Sequence, residues 1–247
     1  MRREWSGGPD HSRANGPLAA DTVGGMTRRG LVCAHRGASL KQPDNSMEAF
    51  VAAIASGCEV IETDVRLRAD GTLVLAHDTW DVVDGVVELE ALVDLARGRI
   101  GLDLEICEVG LERALVDAVD GFHEFLIVTS VFPEVLQQIH RLTTHIDTGL
   151  VIEAPYDGSP LGEDPFELVD ACNAHIALVE DVLATPELIA RAEAEQRLLW
   201  VWTVNEGARI AELLAQPGVT GVITDDPALA CELRDEVPPH PIKTPEI

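Results

Sequence analysis

The stretch LVCAHRGASLKQPDNSMEAFVAAIASGCEVIETDV, residues 31–65, is the part of the chain from which the fold is predicted. Apolar segments near 31–34 and 59–65 predict two buried strands, and the segment near 46–56 predicts a helix between them. A strand, a helix and a second strand in this order form a βαβ unit, in which the two strands are parallel. The stretch therefore predicts a parallel sheet covered by helices.

The same alternation of strands and helices continues along the chain. Strands that are each followed by a helix are predicted at 31–34, 59–65, 100–106, 124–129, 147–152, 175–179, 198–203 and 219–224. A turn at Asp70-Gly71 makes the segment 72–77 an excursion from the second strand. Eight βα units in 247 residues predict a single-domain (β/α)8 TIM barrel.

The predicted barrel occupies residues 29–235, and the segments on either side differ from it in composition. Residues 1–28 have no apolar core of the kind found in signal peptides, which predicts a disordered extension. Residues 236–247 contain four prolines and predict a flexible tail. Because no run of about 18 apolar residues is present, no transmembrane segment is predicted.

The charge of the chain restricts its partners. The formal net charge is −25 at pH 7, which opposes binding to nucleic acid and to anionic membranes. The same charge opposes an anionic substrate, so positive charge at the site has to come from arginine or a metal ion. Five scattered cysteines without a CxxC pair predict buried thiols in a reducing, cytoplasmic compartment. The sequence leaves the oligomeric state open.

Polar side chains stand at the ends of the predicted strands, where the active sites of TIM barrels form. These residues are His35, Arg36, Glu62, Asp64, His77 and Glu105. Glu62 and Asp64 share one face of their strand because side chains alternate with a period of two. Two carboxylates on one face, beside imidazoles and a guanidinium, suit a hard divalent cation held against a phosphate.

Two segments, AHRGASLKQPDNSMEAF (34–50) and GCEVIETDVRLRADGTLVLAHD (57–78), resemble the N-terminal signature of the glycerophosphodiester phosphodiesterase family. Weaker similarity continues through LDLEI (102–106), VTSVFPEVL (128–136), VWTVN (201–205) and GVITDDP (221–227). Several short motifs in the family's order make a more specific signal than a single motif does. The resemblance implies a TIM barrel and hydrolysis of a glycerophosphodiester to an alcohol and sn-glycerol 3-phosphate.

The resemblance also assigns roles to individual residues. It implies that His35 and His77 are the acid–base pair, and two imidazoles that titrate near neutral pH suit both proton transfers of the reaction. Glu62, Asp64 and Glu105 are the expected metal ligands, and ligands that are all oxygen favour Mg²⁺ or Ca²⁺.

Three further residues are expected to contact the substrate or orient its site. Beside His35, Arg36 suits bidentate binding of a phosphate. The resemblance implies that Asn45 orients the substrate loop and that Trp202 lines the substrate pocket. Asp225 and Asp226, which end the last strand, are interpreted as structural residues that cap the final helix.

Two departures from the family pattern keep alternatives open. Cys107 stands where the family usually has a lysine that helps to neutralise the phosphate. Only 27 residues separate His77 from Glu105, which predicts an open cleft because the family usually carries a longer insertion there. The open cleft favours a lysophospholipase D-like alternative that accepts lysophospholipids. The cysteine favours a weakly active or inactive member that binds an anionic ligand, although the complete set of histidines and carboxylates argues against it.

Overall fold

The computed structural model describes residues 27–79 and 85–241. The strands are β1 (Thr27–Arg28), β2 (Leu31–His35), β3 (Val60–Leu67), β4 (Leu73–Leu75), β5 (Gly101–Ile106), β6 (Leu126–Ser130), β7 (Asp147–Ile152), β8 (Ile176–Glu180), β9 (Leu198–Trp202), β10 (Gly221–Thr224) and β11 (His240–Pro241). The helices are α1 (Met47–Ser56), α2 (Leu89–Ala96), α3 (Glu112–Ala118), α4 (Pro133–Leu142), α5 (Pro165–Cys172), α6 (Pro186–Glu195), α7 (Gly207–Leu214) and α8 (Pro227–Glu236).

The parallel strands close into a barrel. Their order is β2, β3, β5, β6, β7, β8, β9 and β10, and β10 pairs with β2 to complete the ring. Each of these strands is followed by a helix before the next strand of the ring. The predicted (β/α)8 TIM barrel is confirmed. The segment 72–77 is the predicted excursion, since β4 pairs with the end of β3 in an antiparallel arrangement.

Alternation along the strands separates the barrel interior from the layer that packs against the helices. The interior is filled by eight buried apolar side chains: Cys33, Val60, Ile127, Val151, Ile176, Leu178, Trp200 and Ile223. Trp200 is fully buried there, and a Cβ atom on the neighbouring Gly221 would lie 2.7 Å from the indole ring. Glycine at 221 therefore lets the strands close around the tryptophan. The remaining buried apolar side chains pack between the barrel and its helices.

Four of the described helices, α1, α5, α6 and α8, begin at a side chain that caps the first turn. Ser46 accepts a hydrogen bond from the main-chain N–H of Ala49 at the start of α1. Thr185 does the same for Leu188 in α6, where Pro186 occupies the first turn. These caps fix the point at which each loop at the mouth of the barrel becomes a helix.

The ends of the described chain pair with each other outside the barrel. β1 and β11 form a two-stranded antiparallel ribbon, so part of each predicted terminal segment has regular structure. The His240 imidazole also lies 3.2 Å from the Leu214 carbonyl at the end of α7. The remainder of the predicted disordered extension and flexible tail, residues 1–26 and 242–247, lies outside the described residues. Within the described ranges, no helix is both long and apolar enough to span a membrane.

Candidate active site

A cavity of about 220 Å³ opens among the ends of the barrel strands. Seven of the predicted site residues line it: His35, Arg36, Glu62, Asp64, His77, Glu105 and Trp202. Parallel strands place their carboxyl ends at the same end of the barrel, so residues far apart in sequence meet there. The eighth predicted residue, Asn45, lies behind the cavity wall and is only 7% exposed.

His35 is hydrogen-bonded to Asp225, which directly follows β10. Its Nδ1 lies 2.7 Å from Oδ1 of Asp225. Asp225 also accepts hydrogen bonds from Ser39 Oγ at 3.0 Å and Asn205 Nδ2 at 2.5 Å. Burial opposes ionisation of Asp225, but these hydrogen bonds outweigh it and lower the pKa of the carboxyl. An ionised Asp225 only accepts, so Nδ1 of His35 donates and Nε2 is left for proton transfer.

The helix cap predicted for this pair is made by Asp226, whereas Asp225 takes no part in it and contacts His35. The Asp226 side chain accepts a hydrogen bond from the Leu229 N–H and caps α8. Asp225 faces the other way, toward His35. An acidic residue directly after a barrel strand was the available signal, and the sequence did not show which aspartate of the pair turns inward.

Arg36 occupies a tight turn that brings its main chain onto β3. Its φ of 54° is left-handed, and the N–H donates a 2.8 Å hydrogen bond to Oε2 of Glu62. Gly37 follows with a φ of 81°, and a Cβ there would lie 2.7 Å from the Ala49 main chain. The guanidinium ion-pairs with Asp64, with 3.0 Å between Nε and Oδ2. This turn explains why glycine follows the arginine in the sequence.

The three predicted metal ligands converge. Glu62, Asp64 and Glu105 each place a carboxylate oxygen within 4.8 Å of those of the other two. The strands account for this convergence, because Asp64 and Glu105 are register partners on β3 and β5. Burial, and then repulsion by Asp64 and Glu105, raises the pKa of Glu62. Burial and the charge of Asp64 likewise raise the pKa of Glu105 to about 8.

These carboxylates fit a divalent cation. Grouped buried carboxylates that resist ionisation are stabilised in their charged forms by a bound cation. Asp103 precedes Glu105 by two residues on β5 and is fully buried. Burial raises the pKa of Asp103 to about 7. Its Oδ1 accepts a 2.7 Å hydrogen bond from Thr129 Oγ1, while Oδ2 has no partner among the described residues. Asp103 is therefore a further buried carboxyl group, on the same face of β5 as Glu105.

Asn45 acts within the protein. Its φ of 52° is left-handed, and its Nδ2 donates a 2.9 Å hydrogen bond to Oδ2 of Asp64. Its Oδ1 accepts a 2.7 Å hydrogen bond from Thr63 Oγ1. Both ends of the amide are therefore used to hold Asp64 and the loop.

Two other predicted positions border the cavity. The Trp202 ring is fixed by a 3.1 Å hydrogen bond from Nε1 to the Leu178 carbonyl oxygen. Cys107 Sγ lies 3.6 Å from Oδ1 of Asp64, and burial together with that carboxylate raises the pKa of the thiol far above its ordinary value. Cys107 is therefore neutral at physiological pH. Glu153 also lines the cavity, although the sequence analysis did not identify it.

The family comparison agrees with this geometry. A model of the glycerophosphoryl diester phosphodiesterase family matches residues 35–97 and 103–229, which together include all of the cavity-lining residues named above. The chain belongs to this family. By its family it is an enzyme of the phosphoric diester hydrolase class.

Individual relatives of this phosphodiesterase family match over most of their length. The glycerophosphodiester phosphodiesterase of Caldanaerobacter subterraneus is 28% identical over 80% of this chain and 94% of its own. The structure of an Oleispira antarctica phosphodiesterase in complex with sn-glycerol 3-phosphate covers 84% of this chain and 98% of its own, with 20% identity and a TM-score of 0.73. A glycerophosphodiester phosphodiesterase from Thermotoga maritima covers 85% of this chain and 100% of its own, with 22% identity and a TM-score of 0.70. At these identities the two structures show the shared fold.

Proposed function

We propose that this phosphodiesterase hydrolyses glycerophosphodiesters to an alcohol and sn-glycerol 3-phosphate. The observation that carries the proposal is the meeting of two histidines and three carboxylates around one cavity. The relatives named for this activity support the substrate class.

His35 and His77 are proposed to share the two proton transfers. Cleavage requires a nucleophilic oxygen to lose a proton and the leaving alkoxide to gain one. Asp225 orients His35 for this step, since its carboxylate accepts a hydrogen bond from Nδ1 and so leaves Nε2 to exchange the proton. Arg36 is proposed to bind the phosphate, and Trp202 to line the pocket for the alcohol or glycerol group.

Glu62, Asp64 and Glu105 are proposed to hold Mg²⁺ or Ca²⁺. When bound, such a cation polarises the phosphoryl oxygens and offsets the negative charge of substrate and site. Asn45 keeps Asp64 in place through the hydrogen bond to its Oδ2. Without a cation, the acidic cluster would repel a phosphodiester.

A lysophospholipase D-like activity is a second candidate, and the surface around the mouth favours it. Large apolar side chains that are exposed among the described residues are Leu40, Val51, Leu67, Val109, Tyr156 and Val182. All except Val51 lie at or just after the carboxyl ends of barrel strands. Apolar side chains at a mouth can contact the alkyl chain of a lysophospholipid.

The free cysteines support a reducing, cytoplasmic location for the enzyme. Cys33, Cys58, Cys172 and Cys231 are buried, and Cys107 is half-buried, without a disulfide.

A substrate panel tests these proposals. Purified enzyme is assayed for sn-glycerol 3-phosphate and for alcohol released from glycerophosphocholine, glycerophosphoethanolamine and lysophosphatidylcholine, with Mg²⁺, Ca²⁺ or EDTA. We expect turnover of the glycerophosphodiesters that EDTA abolishes. Higher kcat/KM on lysophosphatidylcholine would instead support the second candidate. Absence of turnover on every substrate, with retained binding of the glycerophosphodiesters, would support a member that binds an anionic ligand without hydrolysis.

A further inference from the structure

His77 lies in a loop where few neighbouring elements fix its position. It follows β4 by two residues, and β4 has only three residues. The imidazole is 48% exposed, and its Nδ1 lies 3.2 Å from Oδ1 of Asp78. The His35 side chain is only 19% exposed, and its residue ends a strand that is paired on both sides. A histidine that transfers protons from such a position needs another means of fixing its backbone.

Arg66 provides that support. Arg66 lies on β3 opposite Val74 of β4, and its side chain is 13% exposed and lines the cavity. Its Nε and Nη2 donate hydrogen bonds of 2.8 Å and 2.5 Å to the main-chain oxygen of His77. Two donors of one planar guanidinium on the neighbouring strand therefore hold a single atom of the residue, its carbonyl oxygen. The Ala76 N–H, which donates a 3.0 Å hydrogen bond to the Asp64 carbonyl, fixes the residue before it.

We propose that Arg66 is the positioning residue for His77, which it holds at the cavity through the His77 carbonyl. The inference rests on the proposed role of His77 in proton transfer. A direct role for Arg66 in phosphate binding fits the contacts less well. Two of its three nitrogens are used by the carbonyl, and Nη1 lies 3.8 Å from Oε2 of Glu108.

Arg68 is a matched control for the charge of Arg66. It lies two residues further along the chain and carries the same side chain. Its Nε donates to Asp70, and its Nη2 donates to Thr72 and Glu88, at distances of 3.0 Å to 3.2 Å. It is outside the cavity lining. Removing Arg68 takes one positive charge from the same region and leaves His77 anchored.

The test is a double-mutant cycle between positions 66 and 77, with the Arg68→Ala variant assayed beside it. For Arg66→Ala we expect kcat to fall by about one to two orders of magnitude and KM to change little, because a displaced catalytic group costs rate more than binding. Arg68→Ala should keep both constants within about twofold. In the His77→Ala background, Arg66→Ala should cost no further rate, because two residues that act as one unit are not additive. Arg66→Lys keeps the charge but lacks the two planar donors of the guanidinium, so it should keep only part of the wild-type kcat.

The possible failures of the inference are distinct. A full additional loss in the His77→Ala background, or a raised KM with unchanged kcat, would overturn positioning and indicate direct phosphate binding. Complete rescue by Arg66→Lys, or an equal loss in Arg68→Ala, would show that only charge matters. If His77→Ala itself turns over like the wild type, the proposed role of His77 fails, and the inference fails with it. Thermal melts identify any variant that does not fold, and in that case Arg66→Gln, which keeps one donor for the carbonyl, replaces Arg66→Ala in the cycle.

Discussion

The imidazole Nδ1 of His35 lies 2.7 Å from the carboxylate of Asp225, a residue 190 positions later in the chain. His35 is the last residue of β2 and Asp225 directly follows β10, and the pairing of these two strands closes the barrel. Closure of the barrel therefore also assembles a histidine–aspartate pair, and the first and last parts of the domain are both needed for the site.

Replacing Asp225 with asparagine should reduce activity without unfolding the protein. The asparagine amide can donate to Nδ1, which favours the tautomer in which Nε2 carries the proton and cannot accept one. We expect kcat to fall by about two to four orders of magnitude. Steady-state kinetics on a glycerophosphodiester measure the loss. Asp226→Asn is the matched control, since asparagine also caps helices and the α8 cap should persist. Equal activity in both variants would contradict the orienting role of Asp225.

The two histidines should each be essential for turnover. His35→Ala and His77→Ala should lower kcat by about two to four orders of magnitude, the usual range for losing a general acid or base. KM should change less, because Arg36 and the carboxylate cluster remain. Single-turnover assays with each variant measure the chemical step directly. A variant that keeps near wild-type turnover would show that its histidine is structural.

Divalent cations should stabilise the folded protein through the carboxylate cluster. A cation at 100 times its Kd adds about 2.7 kcal/mol to the unfolding free energy, which raises Tm by roughly 5–10 °C for a domain of this size. Differential scanning fluorimetry with Mg²⁺, Ca²⁺ and EDTA measures the shift. Glu62→Gln should abolish the rise, whereas Glu163→Gln, at an exposed loop position, should retain it. An equal rise in both variants would place the cation elsewhere.

The strand periodicity was sufficient to predict the barrel and the convergence of its acidic side chains. Glu62, Asp64 and Glu105 could be identified because alternation fixes which side chains point inward and barrel strands align their carboxyl ends. The contacts of Asp225 and Asn45 could not be derived, because they depend on local backbone conformation. Asn45 reaches Asp64 only through its left-handed φ of 52°. Hydrogen-bond partners so far apart in sequence follow from tertiary structure and leave no periodic pattern.

A histidine pair outside the active site should make stability depend on pH. His140 on α4 is half-buried, its Nε2 lies 3.0 Å from Thr148 Oγ1, and its ring is 5.4 Å from that of His175. Burial, and then the neighbouring histidine, lowers the pKa of His140. The unfolded chain therefore binds more protons than the folded one between the folded pKa and about pH 6.5, the ordinary histidine value. The stability contributed by the neutral imidazole is complete above that pH and is lost as pH falls through the folded pKa.

Melting curves between pH 8 and pH 5 test this dependence. His140→Gln should lose less Tm than the wild type as pH falls. Asp147→Asn removes a carboxylate that favours the protonated imidazole, so it should lose more. If Tm falls equally with pH in all three proteins, His140 does not contribute to the pH dependence of stability.

Cys107 leaves the proposed phosphate site short of positive charge. Its thiol is neutral and lies 3.6 Å from Asp64 Oδ1, in a cavity that also contains Glu62 and Glu105. Two arginines line the cavity among the described residues. Arg66 bonds to the His77 carbonyl, so Arg36, which also pairs with Asp64, is the one proposed to meet the phosphate. A slow wild type on small glycerophosphodiesters is therefore expected.

A lysine at position 107 should supply the missing charge. Cys107 follows Glu105 by two positions, so the two side chains point to the same side of the chain. We expect Cys107→Lys to raise kcat/KM on glycerophosphocholine by about one to two orders of magnitude, as for one added charge-assisted contact to a phosphate. Cys107→Met, which is neutral and of similar length, should leave kcat/KM near the wild-type value and separates charge from size. Because the lysine also lies beside Asp64, the cation-induced rise in Tm is measured for each variant. The missing-charge explanation would be refuted if the wild type has a high kcat/KM and Cys107→Lys lowers it while the variant keeps its cation-induced rise in Tm.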